Sequence, residues 1–217
     1  MEASANFDAW SGRVDEAASW AARLHRGQYR SMTDIPYVTH IWAVASLVAE
    51  WGGDEDQVVA ALLHEAVRGD EGRADLEEVE SRFGPRVARI VAECCTTSPD
   101  TTDTRGAWED RISARLARLP TASAETRLVS GCDTLHNAMS IVRALRRYGW
   151  RSLERLPGGP DGILWSYRGL AGVFRSTGGL PAELVRELER SVAEMAVLGK
   201  VDGSLTPLSG ESLDEWS

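Results

Sequence analysis

Four histidines stand out as the residues able to do chemistry: His25, His40, His64 and His136. His64 is followed directly by Glu65, at the end of a strongly apolar stretch. Far downstream, Asp133 precedes Asn137 by four residues, a spacing that places both on one helix face. An imidazole and a carboxylate at the end of a buried helix are costly to desolvate unless paired or metal-bound. Two histidines with two carboxylates make a mixed N/O donor set suited to a divalent transition metal. Such an ion lowers the pKa of a bound water enough to make a nucleophile at neutral pH. Spacing alone leaves a second reading open, in which each histidine is a satisfied core residue, the commoner fate of a lone histidine on an apolar face.

The elements that must position these residues read as helices. Residues 14–26 place Val14, Ala17, Ala18, Ala21, Leu24 and His25 on one face. A second helix spans about 40–50 and stops at Gly52 and Gly53. Asp54 or Asp56 caps the next, residues 54–67, whose VVAALL centre is apolar nearly all round and therefore central. An acidic helix over 74–84 ends at Gly84, and Pro85 opens another that reaches Cys95. Residues 96–107 are small and polar and read as a surface loop. Helices over about 108–119 and 124–147 follow, the second aligning Leu128, Cys132, Leu135 and Met139 inward. Residues 157–162 (PGGPDG) read as a plain loop, and helices over about 163–176 and 181–199 complete the body. No β-alternation is long enough for a sheet and no repeat is present, so the expected fold is an all-α bundle of roughly eight to ten helices. Residues 1–202 are expected to form one domain, with 203–217 a frayed acidic tail.

Composition narrows the function classes. The chain has 217 residues, 43% hydrophobic and 26% charged, the make-up of a globular protein rather than a disordered or fibrous one. Its net charge of −9 repels phosphodiester backbones, so nucleic acid is a poor partner. A bound metal can reverse the local field, which keeps small anionic substrates open. Cys94, Cys95 and Cys132 make no disulfide framework and read as reduced thiols. The first twenty residues lack a basic region followed by an apolar run, and no stretch approaches the ~20 apolar residues of a membrane span. A cytoplasmic protein without membrane partners is expected.

Four strings in order, HRGQYR at 25–30, PYVTH at 36–40, AALLHEAV at 60–67 and DTLHN at 133–137, resemble the HD-domain phosphohydrolase superfamily. The likeness is strongest to its RelA/SpoT-type branch, which removes the 3′-pyrophosphate from (p)ppGpp, and it runs over about residues 17–195. RFGPRVARIV, the CTT segment, WEDR and GILWSYRGL agree in character. The resemblance implies a HD-domain helical bundle. It implies metal ligands at His40, His64, Glu65 and Asp133, with Mn²⁺ the usual ion of the family. It implies that Arg30 packs against a nucleotide base and that Asn137 lies beside the nucleoside, so a small nucleotide is the expected substrate.

Two positions depart from the family pattern. Glu65 stands where the dyad has Asp, and its extra methylene moves the carboxylate by roughly one bond length. The Glu-Asp pair that helps orient the attacking water is replaced by Arg68 and Gly69, with Asp70 and Glu71 following. Glu65, Asp70 and Glu71 are therefore the candidate catalytic carboxylates. Arg68 cannot act as a base but suits a phosphate. The expected activity is metal-dependent hydrolysis of a nucleotide or pyrophosphorylated nucleotide. The alternative is a nucleotide-binding or regulatory relative that keeps the fold without turnover. A di-iron oxygenase would need about six ligands and ranks below both. His25 reads as a packed core histidine, and His136 as structural or surface. Arg143, Arg146 and Arg147 read first as favourable charges at a helix C-terminus, with phosphate contact second.

Overall fold

The computed structural model describes residues 10–31, 33–67, 74–95 and 105–201. Nine α-helices run through them: α1 Gly12–Leu24, α2 Val38–Glu50, α3 Glu55–Leu63, α4 Leu76–Phe83, α5 Pro85–Cys94, α6 Arg105–Arg118, α7 Ala124–Tyr148, α8 Gly159–Thr177 and α9 Ala182–Val201. No strand occurs among the described residues; one isolated bridge joins Tyr29 to Pro36. The all-α expectation holds. Residues 96–104 of the expected loop and the whole of the expected tail, 203–217, lie outside the described residues.

Caps set the boundaries. Asp54 accepts from the Gln57 amide while the Gln57 side chain reaches back to the Asp54 amide, a reciprocal pair that starts α3. Asp75 and Ser123 cap α4 and α7 through the amides of Glu78 and Thr126. Gly84, at φ 90°, ends α4 and turns the chain into Pro85 of α5. Every residue of α3 from Gln57 to Leu63 is buried, so α3 is the central rod that its all-round apolarity predicts. α3 packs on α1, α2, α5 and α7, and α7 packs in turn on α2, α5, α8 and α9. The core therefore lies around two helices, and each delivers a site residue: His64 directly follows α3 as its cap, and α7 carries Asp133 in its middle.

Three boundaries and faces differ from the sequence reading. Residues 157–162 are not a plain loop: α8 begins at Gly159, with Pro160 in the first turn, where a missing N–H costs nothing. The glycines there have a packing role. A Cβ on Gly158 would fall 2.4 Å from the Trp108 ring, and one on Gly162 would fall 3.0 Å from it. Trp108 of α6 is thus seated directly on the backbone of α8, and the same helix begins at Arg105, inside the stretch expected to be loop. Met139 does not face the core with Leu128, Cys132 and Leu135; about three turns beyond Leu128 on the same side of α7, it is exposed, because the neighbouring helices no longer cover that row there.

Candidate metal centre

His40 is fixed by α2, His64 by the turn that follows α3, and Asp133 by α7. All three are buried, and one ligand atom from each lies within 4.8 Å of the others. His40 Nε2 is 3.3 Å from Asp133 Oδ1, and His64 Nε2 is 3.8 Å from the same oxygen. Glu65 Oε1 lies 4.0 Å from His64 Nε2, beside this group but outside it.

The ring orientations suit metal ligation. His64 Nδ1 donates to the Ala61 carbonyl at 2.7 Å, which turns the Nε2 lone pair inward, and this buried Nε2 has no hydrogen-bond partner among the described residues. A buried acceptor left unmatched in this way is costly unless something binds it. His40 Nδ1 is 2.8 Å from His136 Nδ1. A cation on His40 Nε2 requires the proton on Nδ1, and His136 is the acceptor for it. Burial, with the nearby charges of His40 and Arg30, pushes His136 down to about 4, so its ring is neutral and able to accept. The donor set of two imidazoles and a carboxylate, with one orphaned nitrogen, fits a divalent transition metal.

Charge is distributed asymmetrically over the triad. Burial lowers His40. Burial also opposes a proton on His64, but the Asp133 and Glu65 carboxylates outweigh it and raise its pKa. Asp133 would be raised by burial, yet His40, His64 and Arg115 together hold it well below the usual carboxylate range. It is therefore an anion at every physiological pH.

A cavity of about 860 Å³ opens beside the triad, with His136 and Asn137 in its wall. Arg30, Arg143 and Arg147 also line it, against the single carboxylate of Asp34 among the described residues, while Tyr37, Ile141 and Tyr167 supply apolar area. Arg30 Nη2 donates to Asn137 Oδ1 at 2.9 Å, and Asn137 Nδ2 donates to Asp133 Oδ1 at 2.7 Å. Arg30 and Asn137 are thus joined to each other and to the triad. Arg146 differs from its neighbours and pairs with Glu194 at 2.6 Å on the outside. His25 is buried as expected, Nδ1 2.6 Å from Gln28 Oε1. Cys94 is pushed up to about 12 by burial, which leaves an inert thiol.

His136, expected to be structural or surface, is half-buried and touches a triad histidine. Its position three residues after Asp133 was the available signal, because that spacing shares a face. Arg115, which donates to Asp133 Oδ2 at 3.1 Å, was missed, and no local pattern singles it out. Arg68, Asp70 and Glu71 lie outside the described residues.

The HD domain family model matches residues 17–151. The human guanosine-3′,5′-bis(diphosphate) 3′-pyrophosphohydrolase is 35% identical over 138 residues, 62% of this chain and 72% of that protein. An enzyme of the same name from Aquifex aeolicus is 36% identical over 78 residues, 36% of this chain and 11% of that much longer protein. Among solved structures, a metazoan ortholog of SpoT that hydrolyzes ppGpp superposes with a TM-score of 0.67 at 24% identity, over 90% of this chain and 98% of that one. At that identity the superposition speaks for the fold.

Proposed function

This chain belongs to the HD domain family and is a metal-dependent phosphohydrolase, and we propose that its substrate is a guanosine nucleotide carrying a 3′-pyrophosphate. The observation that carries this reading is the buried triad His40, His64 and Asp133 with its orphaned His64 Nε2, joined through His136 and Asn137 to the wall of an arginine-lined cavity. His40, His64 and Asp133 would hold a divalent metal, which we take to be Mn²⁺, with Glu65 as a fourth ligand. When bound, such an ion supplies a Lewis acid and an activated water at neutral pH.

The chain's own residues do the rest. Arg30 offers a planar guanidinium to a purine, and Asn137 holds that guanidinium in place at 2.9 Å. Arg143 stands ten residues beyond Asp133 on α7, about 15 Å along the axis at ~1.5 Å per residue. It and Arg147 line the far part of the cavity and suit phosphates at the other end of the substrate. The proposed roles of Arg68 as a phosphate contact and of Asp70 and Glu71 as water-orienting carboxylates rest on the sequence resemblance. The three thiols suit a reducing, cytoplasmic setting. None of the described helices is long and apolar enough to cross a membrane.

The test is a pair of variants. His64→Ala and Asp133→Ala are each expected to lose the metal and all hydrolysis. Full activity without metal in either would overturn the reading. Metal binding by the native protein without release from any nucleotide would favour the regulatory alternative.

A further inference from the structure

The carboxylate of Asp133 divides its two oxygens between two tasks. Oδ1 faces the histidines, 3.3 Å from His40 Nε2 and 3.8 Å from His64 Nε2, and accepts from Asn137. Oδ2 points the other way and accepts from Arg115 Nη2 at 3.1 Å. The same nitrogen donates to Thr134 Oγ1 at 3.0 Å and sits 3.5 Å from the Ser130 carbonyl. Thr134 Oγ1 donates its own hydrogen bond to that carbonyl at 2.7 Å. The terminal torsion of an aspartate is broad and roughly two-fold, so the carboxylate needs a partner to hold one orientation. Asn137 holds Oδ1, and Arg115 is the partner that holds Oδ2.

Arg115 does not come from the helices that build the triad. It comes from α6, which packs chiefly on α8. Trp108 of α6 rests on Gly158 and Gly162, and Leu116 rests on Gly169, where an added Cβ would fall 3.0 Å from its side chain. Arg118 Nη1 donates to the Cys95 carbonyl at 2.9 Å and ties the C-terminal end of α6 to the end of α5. These contacts set the height of α6 over the site, and Arg115 is the side chain it extends inward.

We propose that Arg115 is a positioning residue for the metal carboxylate: it keeps Asp133 turned with Oδ1 toward the two histidines, and α6 is docked on the glycines of α8 in order to place it. This rests on the reading of the triad as a metal site. One nitrogen makes all the contacts, so the interaction is a point contact and not a bidentate fork. A lysine ammonium, with three donors on one atom, can replace it.

The experiment titrates Mn²⁺ into metal-free native, Arg115→Gln and Arg115→Lys proteins, reading free Mn²⁺ by electron paramagnetic resonance. Thermal unfolding in chelator serves as a control on folding. Groups that orient a metal ligand typically change affinity by about 10–100-fold, and Arg115→Gln is expected to weaken binding by that much with unchanged unfolding in chelator. Arg115→Lys is expected to recover affinity to within about fivefold of native. Native affinity in Arg115→Gln would overturn the proposal. Should that variant not fold, Arg115→Lys decides alone, and a full loss of affinity in a folded Arg115→Lys protein overturns it. Absence of Mn²⁺ binding by the native protein would instead overturn the metal site itself.

Discussion

His136 and His40 face each other through their Nδ1 atoms at 2.8 Å, across 96 positions of sequence. Two neutral imidazoles at that distance share one proton, and its position decides which His40 nitrogen carries a lone pair. With the proton on His40 Nδ1, Nε2 is free to ligate. His136→Ala removes the acceptor, so it should weaken Mn²⁺ binding by about tenfold or more. Calorimetric titration checks this; unchanged affinity would mean that water takes over the role.

The protonation of His64 gives a pH signature with opposite signs in the two forms. Despite its burial, the Asp133 and Glu65 charges raise its pKa above 6.5 in the metal-free protein. The stabilisation from that raised pKa is fully present below about 6.5 and is lost as pH rises through the folded value. Metal must displace the same proton, so Mn²⁺ affinity should fall by about tenfold per pH unit below the folded value. The gap between melting temperatures with Mn²⁺ and with chelator should therefore widen from pH 6 to pH 8.5. A gap that narrows over that range would contradict the assignment of His64 as a ligand.

At the far part of the cavity, Arg143→Ala and Arg147→Ala should raise KM for a nucleotide with phosphates at both ends. Charge-assisted hydrogen bonds of about 1.5–3 kcal/mol correspond to roughly 10–100-fold. The value of kcat should change little, since neither residue reaches the triad. Steady-state kinetics with 3′-pyrophosphorylated substrates, with and without 5′ phosphates, separate the two effects.

Leu135 and Met139 on α7 test the corrected face of that helix. Leu135 is fully buried, and Leu135→Ala should cost about 2–5 kcal/mol. Met139 is exposed, and Met139→Ala should stay within about 0.5 kcal/mol. Urea unfolding with an unchanged slope reads both.

Much of this architecture is legible because helical periodicity is local. The all-round apolarity of residues 58–63 marks α3 as central, and the Asp54 cap and Gly84–Pro85 junction mark their boundaries without tertiary information. The triad is legible through ordered motifs, since His40, His64 and Asp133 each sit at a helix position that the strings around them specify. What is not legible is whatever depends on one helix meeting another. Pro160 and its glycines look like a loop until the Trp108 ring is placed over them. Arg115 is one of many arginines until α6 is set down on α8 and its guanidinium meets Asp133. Met139 continues the inward row of α7 by count, and only the position of α2 and α9 around that helix shows where the row leaves the core.

The most direct measurement combines metal content and turnover in one sample. Native protein loaded with Mn²⁺ is mixed with guanosine 3′,5′-bis(diphosphate), and pyrophosphate release is followed by phosphorus magnetic resonance. The account predicts one metal per chain and pyrophosphate leaving from the 3′ position, with neither in Asp133→Ala. A fully loaded native protein that releases no pyrophosphate, or that releases it equally after complete chelation, would contradict it.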